Sequence, residues 1–254
     1  MVRKKEIEFI KFLGTSGARF VMIKQLRASG GIWISAKGKN ILVDPGPGSL
    51  VRAHQEKLNP QELDAIILTH RHLDHSNDIN VMIEAMTDGG FNKKGIIFFT
   101  QDAISKDSVI LKYALKFPKE IKILKPYTNY RVGQFMFKTS MAHIHPVETY
   151  GIKFSLGKSS VGLVSDTKYF PGLEKFFKTD ILILPVVFLK PRDVQHLSLE
   201  DAKKLISVLS AKKTILTHFG MGMLKAGPAK LARKLSRQLK LDVVSAYDGQ
   251  MIFP

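Results

Sequence analysis

The sequence predicts an α/β fold with two mixed β-sheets packed face to face and helices on the outer faces. Two observations carry that expectation. Short apolar runs of strand length recur along all 254 residues, about ten of them, while helical periodicity is clear in only three places. Both halves follow the same plan, a strand-rich stretch with one or two helices. The chain also lacks a glycine-rich dinucleotide fingerprint and a GxxxxGK[ST] loop, and "GTSG" (Gly14 to Gly17) is only a weak phosphate-loop signal.

The strand-like runs are, in order, "IEFIKFLG", "GIWISA", "NILVDPG", "DAIILTH", "GIIFFT", "FMFKTS", "YGIKFSL", "VGLVSD", "DILILPVV", "TILTHF" and "VVSAYDGQMIF". Each is rich in β-branched and aromatic residues and bounded by turn formers. The first helical segment, "NDINVMIEAM", has Ser76 or Asn77 as its expected cap. The second, "SLEDAKKLISVL", opens with Ser198 at the N-cap and Asp201 at N3, close to a capping box. The third, "PAKLARKLSRQL", sets Pro228 in its first turn and Leu231, Leu235 and Leu239 at four-residue spacing. No repeat, low-complexity tract or linker interrupts the chain, so residues 1–254 are expected to form a single domain.

Composition narrows the function classes. With 44% hydrophobic and 24% charged residues, the chain has the profile of an ordinary globular protein with a full core. No apolar run approaches the roughly 18 residues of a membrane span, and "MVRKKEIEFIKF" lacks the apolar block of a signal peptide. The expected location is the cytoplasm, with no membrane partner. The absence of cysteine excludes disulfides, thiolate metal sites and cysteine nucleophiles. The net charge of +17 favours polyanionic partners, either nucleic acid or a phosphorylated small molecule, although a lysine-rich solvated surface explains it equally.

The chemistry concentrates in "LTHRHLDHSND", where His70, His72, Asp74 and His75 fall within six positions. A loop following a buried strand can bring such side chains to one point, and burying three imidazoles and a carboxylate together has no economical structural explanation. Imidazole and carboxylate donors suit zinc, with manganese or iron as alternatives.

The pattern His-x-His-x-Asp-His resembles the signature of the metallo-β-lactamase superfamily, and the other motifs of that family follow in order over nearly the whole chain. "ILVDPG" resembles the first motif, which makes Asp44 the acid that orients the histidine loop. "HPVETYG" resembles the third, "GLVSDT" the fourth and "ILTHFG" the fifth. The resemblance implies an αββα four-layer sandwich and two divalent metal ions. One would be held by His70, His72 and His145, the other by Asp74, His75 and His218, with Asp166 bridging. His143 competes with His145 in "AHIHP"; the distance from His145 to Tyr150-Gly151 matches the family's nuclease branch. His54, in "RAHQEK", is read as an exposed helical histidine without a role.

Within the superfamily the chain looks nearest to the RNase Z and cyclic phosphodiesterase branches, through "FLGTSGAR" and "HPVETYG". That implies a phosphodiesterase using a metal-bridging hydroxide, with Asp74 or His196 handling the proton. His196 occupies a setting similar to that of the RNase Z histidine that protonates the leaving group. Two departures separate the chain from a true RNase Z. Only about twenty residues part His145 from Asp166, too few for that family's long arm, and Pro185 stands where the family pairs its histidine with a glutamate. Other readings stay open: a hydrolase of a thioester, lactone or amide, an armless RNase Z-type nuclease, or a nucleic-acid-binding module with a vestigial metal site. Thr87 to Gly95, "TDGGFNKKG", is the expected mobile lid, and the sequence leaves self-association undecided.

Overall fold

The computed structural model describes residues 7–254; the basic start, residues 1–6, lies outside the described residues. The chain forms two seven-stranded sheets. The first is built from β1 (Phe9–Phe12), β2 (Ile32–Ala36), β3 (Lys39–Val43), β4 (Ala65–Ile67), β5 (Ile96–Phe99) and β6 (Glu120–Ile123), closed at its other edge by β14 (Met251–Ile252). The second holds β7 (Asn129–Val132), β8 (Phe135–Ala142), β9 (Tyr150–Leu156), β10 (Ser159–Leu163), β11 (Ile181–Pro185), β12 (Lys213–Thr217) and β13 (Val243–Ser245). Each sheet is mixed: β3 to β6 run parallel after an antiparallel β1–β2–β3, and β10 to β13 run parallel after an antiparallel β7 to β10.

Three apolar clusters define the layers. Ile10, Ile34, Ile41, Phe98, Phe137, Ile152 and Ile183 belong to the cluster shared by the two sheets. On the outer face of the first sheet, Trp33, Leu42 and Ile66 meet α2 (Ser49–Gln55) and α4 (Ile79–Met86) through Ala53, Met82 and Ile83. On the outer face of the second, Leu182 and Leu216 meet α6 (Leu199–Leu209) and α8 (Pro228–Leu239) through Leu205, Ile206, Ala232 and Leu235. This is the expected αββα sandwich. Burying alternate strand residues inward and the intervening ones under helices removes both sheet faces from water.

The long helices start as the sequence indicates. Ser198 and Asp201 form a full capping box, and Pro228 occupies the first turn of α8. Elsewhere local structure departs from expectation. The helix expected after Ser76 or Asn77 forms as α4, with its cap one or two residues later at Asp78, and an unexpected single turn, α3 (Leu73–Ser76), precedes it with His72 at its N-cap. "VVSAYDGQMIF" is two strands on different sheets, because the chain turns at residues 246–250 to place β14 beside β1. Two edge strands, β6 and β7, were not expected at all. No helix among the described residues is long and apolar enough to cross a membrane.

Parallel strands set the position of the functional end. The segments leaving the carboxyl ends of β3, β4, β10 and β12 emerge together, and β8, antiparallel to β9, points the same way. Thr87 to Gly95 instead precedes the amino end of β5 and bonds to the turn before β4, through Gln61 to Asp88 and Lys94 to the Gln61 carbonyl. It lies at the opposite end of the sheet and cannot serve as the expected lid.

Candidate metal centre

Seven side chains from five segments meet at this end. His70 and His72 follow β4; Asp74 and His75 sit on α3; His145 follows β8; Asp166 follows β10; and His218 follows β12. One donor atom from each of His70, His72 and His145 lies within 4.8 Å of the others, and the same holds for Asp74, His75, Asp166 and His218. The two groups adjoin across Asp166. Its Oδ2 lies 3.9 Å from His70 Nε2 and 3.4 Å from His75 Nε2, while its Oδ1 lies 3.4 Å from His218 Nδ1.

Backbone strain and close packing hold this arrangement. Asp44 and His218 both adopt left-handed conformations, with φ of 54° and 57°, at a cost of roughly 1–3 kcal/mol each for a non-glycine residue. Gly17 explains "GTSG": its N–H bonds the Phe219 carbonyl, and a Cβ there would collide with the His218 backbone. The motif supports the His218 turn by close approach rather than by forming a phosphate loop.

Hydrogen bonds outside the cluster orient the rings. Asp44 accepts the Thr69 N–H and hydroxyl, each at 2.7 Å, and the His75 Nδ1–H at 3.0 Å, which leaves His75 Nε2 as the free acceptor. His145 Nδ1–H donates to the Gln195 carbonyl at 3.0 Å, so its Nε2 faces His72 Nδ1 at 2.9 Å. His75 Nε2 faces His218 Nε2 at 3.0 Å. His143, the competing candidate, stands apart. Buried, it meets Ser140 Oγ and the Asp166 carbonyl and joins neither donor group. His54 is exposed on α2, as expected.

His196, which precedes α6, places Nδ1 3.4 Å from Asp166 Oδ2, with its ring 5.1 Å from that of His145. Two of the supports carry no sequence signal: the Gln195 carbonyl, a backbone group without a residue signature, and Thr69, which ties Asp44 to Ser165 at 2.7 Å. Asp102 was also missed. Its carboxylate pairs with Arg71 and accepts the Glu148 N–H, linking the His70 and His145 segments.

The donor set fits a divalent cation. Buried His70 Nε2, Asp166 Oδ1, His218 Nδ1 and His196 Nδ1 have no hydrogen-bond partner, and each such orphan costs roughly 1–3 kcal/mol unless something accepts its lone pair or proton. Burial pushes His145 down to about 4 and holds His70 well below the usual imidazole range, so both are neutral at physiological pH, as ligation requires. Burial alone would raise Asp166, but the neighbouring His218, His196 and His75 hold it well below the carboxylate range. Burial likewise opposes a charge on His75, yet Asp74 and Asp166 raise its pKa well above that of ordinary imidazole, so a proton and a cation compete for its Nε2.

A cleft of about 1070 Å³ opens beside this cluster and is lined by His72, Asp74 and His196. Its walls are α1 (Ala18–Ile23) and residues 187–194, with Gly220, Met221 and Gly222 beyond.

Comparisons with known proteins agree with this geometry. A family model described as a beta-lactamase superfamily domain matches residues 39–219. The uncharacterized protein MJ1374 of Methanocaldococcus jannaschii is 30% identical, over 94% of this chain and 92% of that one. Ribonuclease Z of Thermoplasma acidophilum is 30% identical over 54% of this chain, a match spanning 45% of that enzyme. The probable metallo-hydrolase YhfI of Bacillus subtilis is 27% identical over 75% of this chain and 80% of that one. Its crystal structure superposes with a TM-score of 0.80 at 22% identity, covering 98% and 100% of the two chains. A diphosphatase from the PhnP family gives 0.71 at 20% identity, covering 97% of each chain, and the short form of human tRNase Z gives 0.69 at 17%, covering 97% and 99%. The chain belongs to the metallo-β-lactamase superfamily of metal-dependent hydrolases.

Proposed function

We propose that the chain is a dinuclear metal-dependent phosphodiesterase. The observation that carries this reading is the pair of donor groups meeting at one buried carboxylate, Asp166. His70, His72 and His145 would hold one cation, and Asp74, His75 and His218 the other, with Asp166 between them. With no thiolate available, nitrogen and oxygen donors favour Zn²⁺, and Mn²⁺ or Fe fit the same set. A pair of such cations supplies Lewis-acid stabilisation of developing negative charge and activates water near neutral pH.

The remaining roles belong to the chain itself. Asp44 keeps His75 in one tautomer, and the Gln195 carbonyl does the same for His145. His196 lines the cleft, holds Nδ1 3.4 Å from Asp166 Oδ2, and can hand a proton to the departing alcohol. Asp74, the second candidate for that proton, is held below the usual carboxylate range: burial would raise it, but His75 and His218 outweigh that effect. Pro185 lies within β11, so no carboxylate from that position supports His196.

Phosphate-bond substrates are favoured by the ribonuclease Z and diphosphatase relatives and by the net charge of +17. Lys230, Arg233, Lys234, Arg237 and Lys240 form an exposed basic face on α8, which supports nucleic acid as an alternative substrate class. Hydrolysis of bis-p-nitrophenyl phosphate, lost on chelation and compared with a generic thioester, tests the reading. Chelator-sensitive turnover of the phosphodiester is expected. Thioester turnover alone would reassign the enzyme to acyl chemistry.

A further inference from the structure

The cleft beside the metal centre is not built for a phosphate alone. Phe20 and Ile23 on α1, Leu73 on α3, and Leu189 and Val194 on the facing segment all line it, and all five are exposed. Phe20, Ile23 and Leu73 each leave 60% or more of their surface in water. Exposed apolar side chains gathered around one concavity mark a binding surface rather than ordinary surface scatter. Three cations stand among them: Arg19, Lys190 and Arg192. Arg192 lies over the Phe188 ring at 5.1 Å, and Phe188 in turn stands 6.2 Å from the His196 ring. Of the site residues, only His72, Asp74 and His196 face this space. Any substrate that reaches the centre through the cleft must pass apolar walls with an anion-attracting rim.

We infer that this cleft receives the apolar arm of the substrate: the enzyme's preferred phosphodiesters carry an extended apolar group, alkyl or aryl, which lies between Phe20 and Leu189 while the phosphate reaches His72, Asp74 and His196. The inference rests on the phosphodiesterase reading and specifies its substrate class. Continuity of the apolar walls with the site and the positive rim select this occupant over a second copy of the chain. A polynucleotide would set a base on Phe20, but the aliphatic walls of Ile23, Leu73, Leu189 and Val194 offer no stacking platform for the next one.

The test is a series of alkyl p-nitrophenyl phosphodiesters, methyl, butyl and octyl, all below their micellar concentrations. Burying about two of the added methylenes is enough for tenfold, so kcat/KM is expected to rise about 10-fold or more from methyl to octyl. Phe20→Ser and Leu189→Ser should cut that ratio to about 3 or below. Phe91→Ser, at an equally apolar residue 95% exposed on the opposite end of the sheet, should leave it unchanged. A flat series, or a ratio that all variants share, overturns the inference. If no phosphodiester is hydrolysed, the phosphodiesterase reading fails, and calorimetry on the zinc-loaded protein decides about the cleft. Octyl phosphate binding tenfold tighter than methyl phosphate, with the difference lost in Phe20→Ser, upholds the inference; equal binding overturns it. Should Phe20→Ser turn a dimer into a monomer in light scattering without changing the ratio, the apolar walls are a subunit interface and the inference is wrong.

Discussion

Asp44→Asn isolates the carboxylate that orients the centre. Asn tolerates the left-handed backbone at this position, so the exchange adds little strain to a φ of 54°. It does remove one acceptor. The native carboxylate accepts the Thr69 N–H and hydroxyl at 2.7 Å and the His75 Nδ1–H at 3.0 Å. The amide oxygen can keep the Thr69 N–H, which turns the NH₂ toward Thr69 Oγ1 and His75 Nδ1. His75 must then accept at Nδ1 and carry its proton on Nε2, the atom it offers to the donor cluster. Loss of a supporting contact of this kind weakens metal affinity about 10- to 100-fold, roughly 1.4–2.7 kcal/mol. The lost charged hydrogen bond is worth about 1.5–3 kcal/mol, so the two figures agree. Competition with a chromophoric chelator reads the metal affinity, and thermal denaturation in metal-free buffer reads stability. A loss of about 2 kcal/mol lowers Tm by roughly 4–8 °C in a chain of this size. Unchanged metal affinity together with the full drop in Tm would refute the orienting role and leave Asp44 a purely structural carboxylate.

His196→Ala is expected to slow turnover about 10²- to 10⁴-fold while elemental analysis finds the metal content intact; loss of metal would show that His196 is a ligand instead. Ser198→Ala removes a capping box two residues beyond His196 and should cost about 1–2 kcal/mol, seen as a Tm lower by roughly 2–8 °C with metal content unchanged. Asp180 accepts the Ser160 hydroxyl and N–H and pairs with Lys212, Ser160 being the main reason its carboxyl is held below the ordinary range. Because its folded pKa is depressed, its contribution is complete above the unfolded value near 4 and fades as pH falls through the folded one. The Tm gap between wild type and Asp180→Asn should therefore be constant above pH 5 and shrink below pH 4; a gap independent of pH contradicts this.

Central strands were readable in the sequence because they are buried on both faces: β4, β5 and β11 are short, continuous apolar runs. The misses fall at sheet edges. β6 ("EIKI") and β7 ("NYRV") alternate polar and apolar residues, but over only four positions each, and the charges that protect an open edge leave no apolar run to mark them as strands. β14 was merged with β13 because their separation depends on which sheet each joins, information that no local window holds. At the site, His70, His72, Asp74 and His75 were legible from density alone, while His145, Asp166 and His218 depended on the family resemblance. Choosing between His143 and His145 needed the fold, since both follow β8 and only one turns toward His72. The Gln195 carbonyl and the apolar walls of the cleft had no sequence signal, because each depends on segments brought together from distant parts of the chain.

The most direct test of the account is anomalous diffraction at the zinc edge, on crystals of wild type and His72→Ala grown with zinc. Wild type should show two peaks about 3.5–4 Å apart on either side of Asp166, and His72→Ala should lose the peak beside His70 and His145. A single peak, peaks distant from Asp166, or an unaltered pair in the variant would contradict the dinuclear centre.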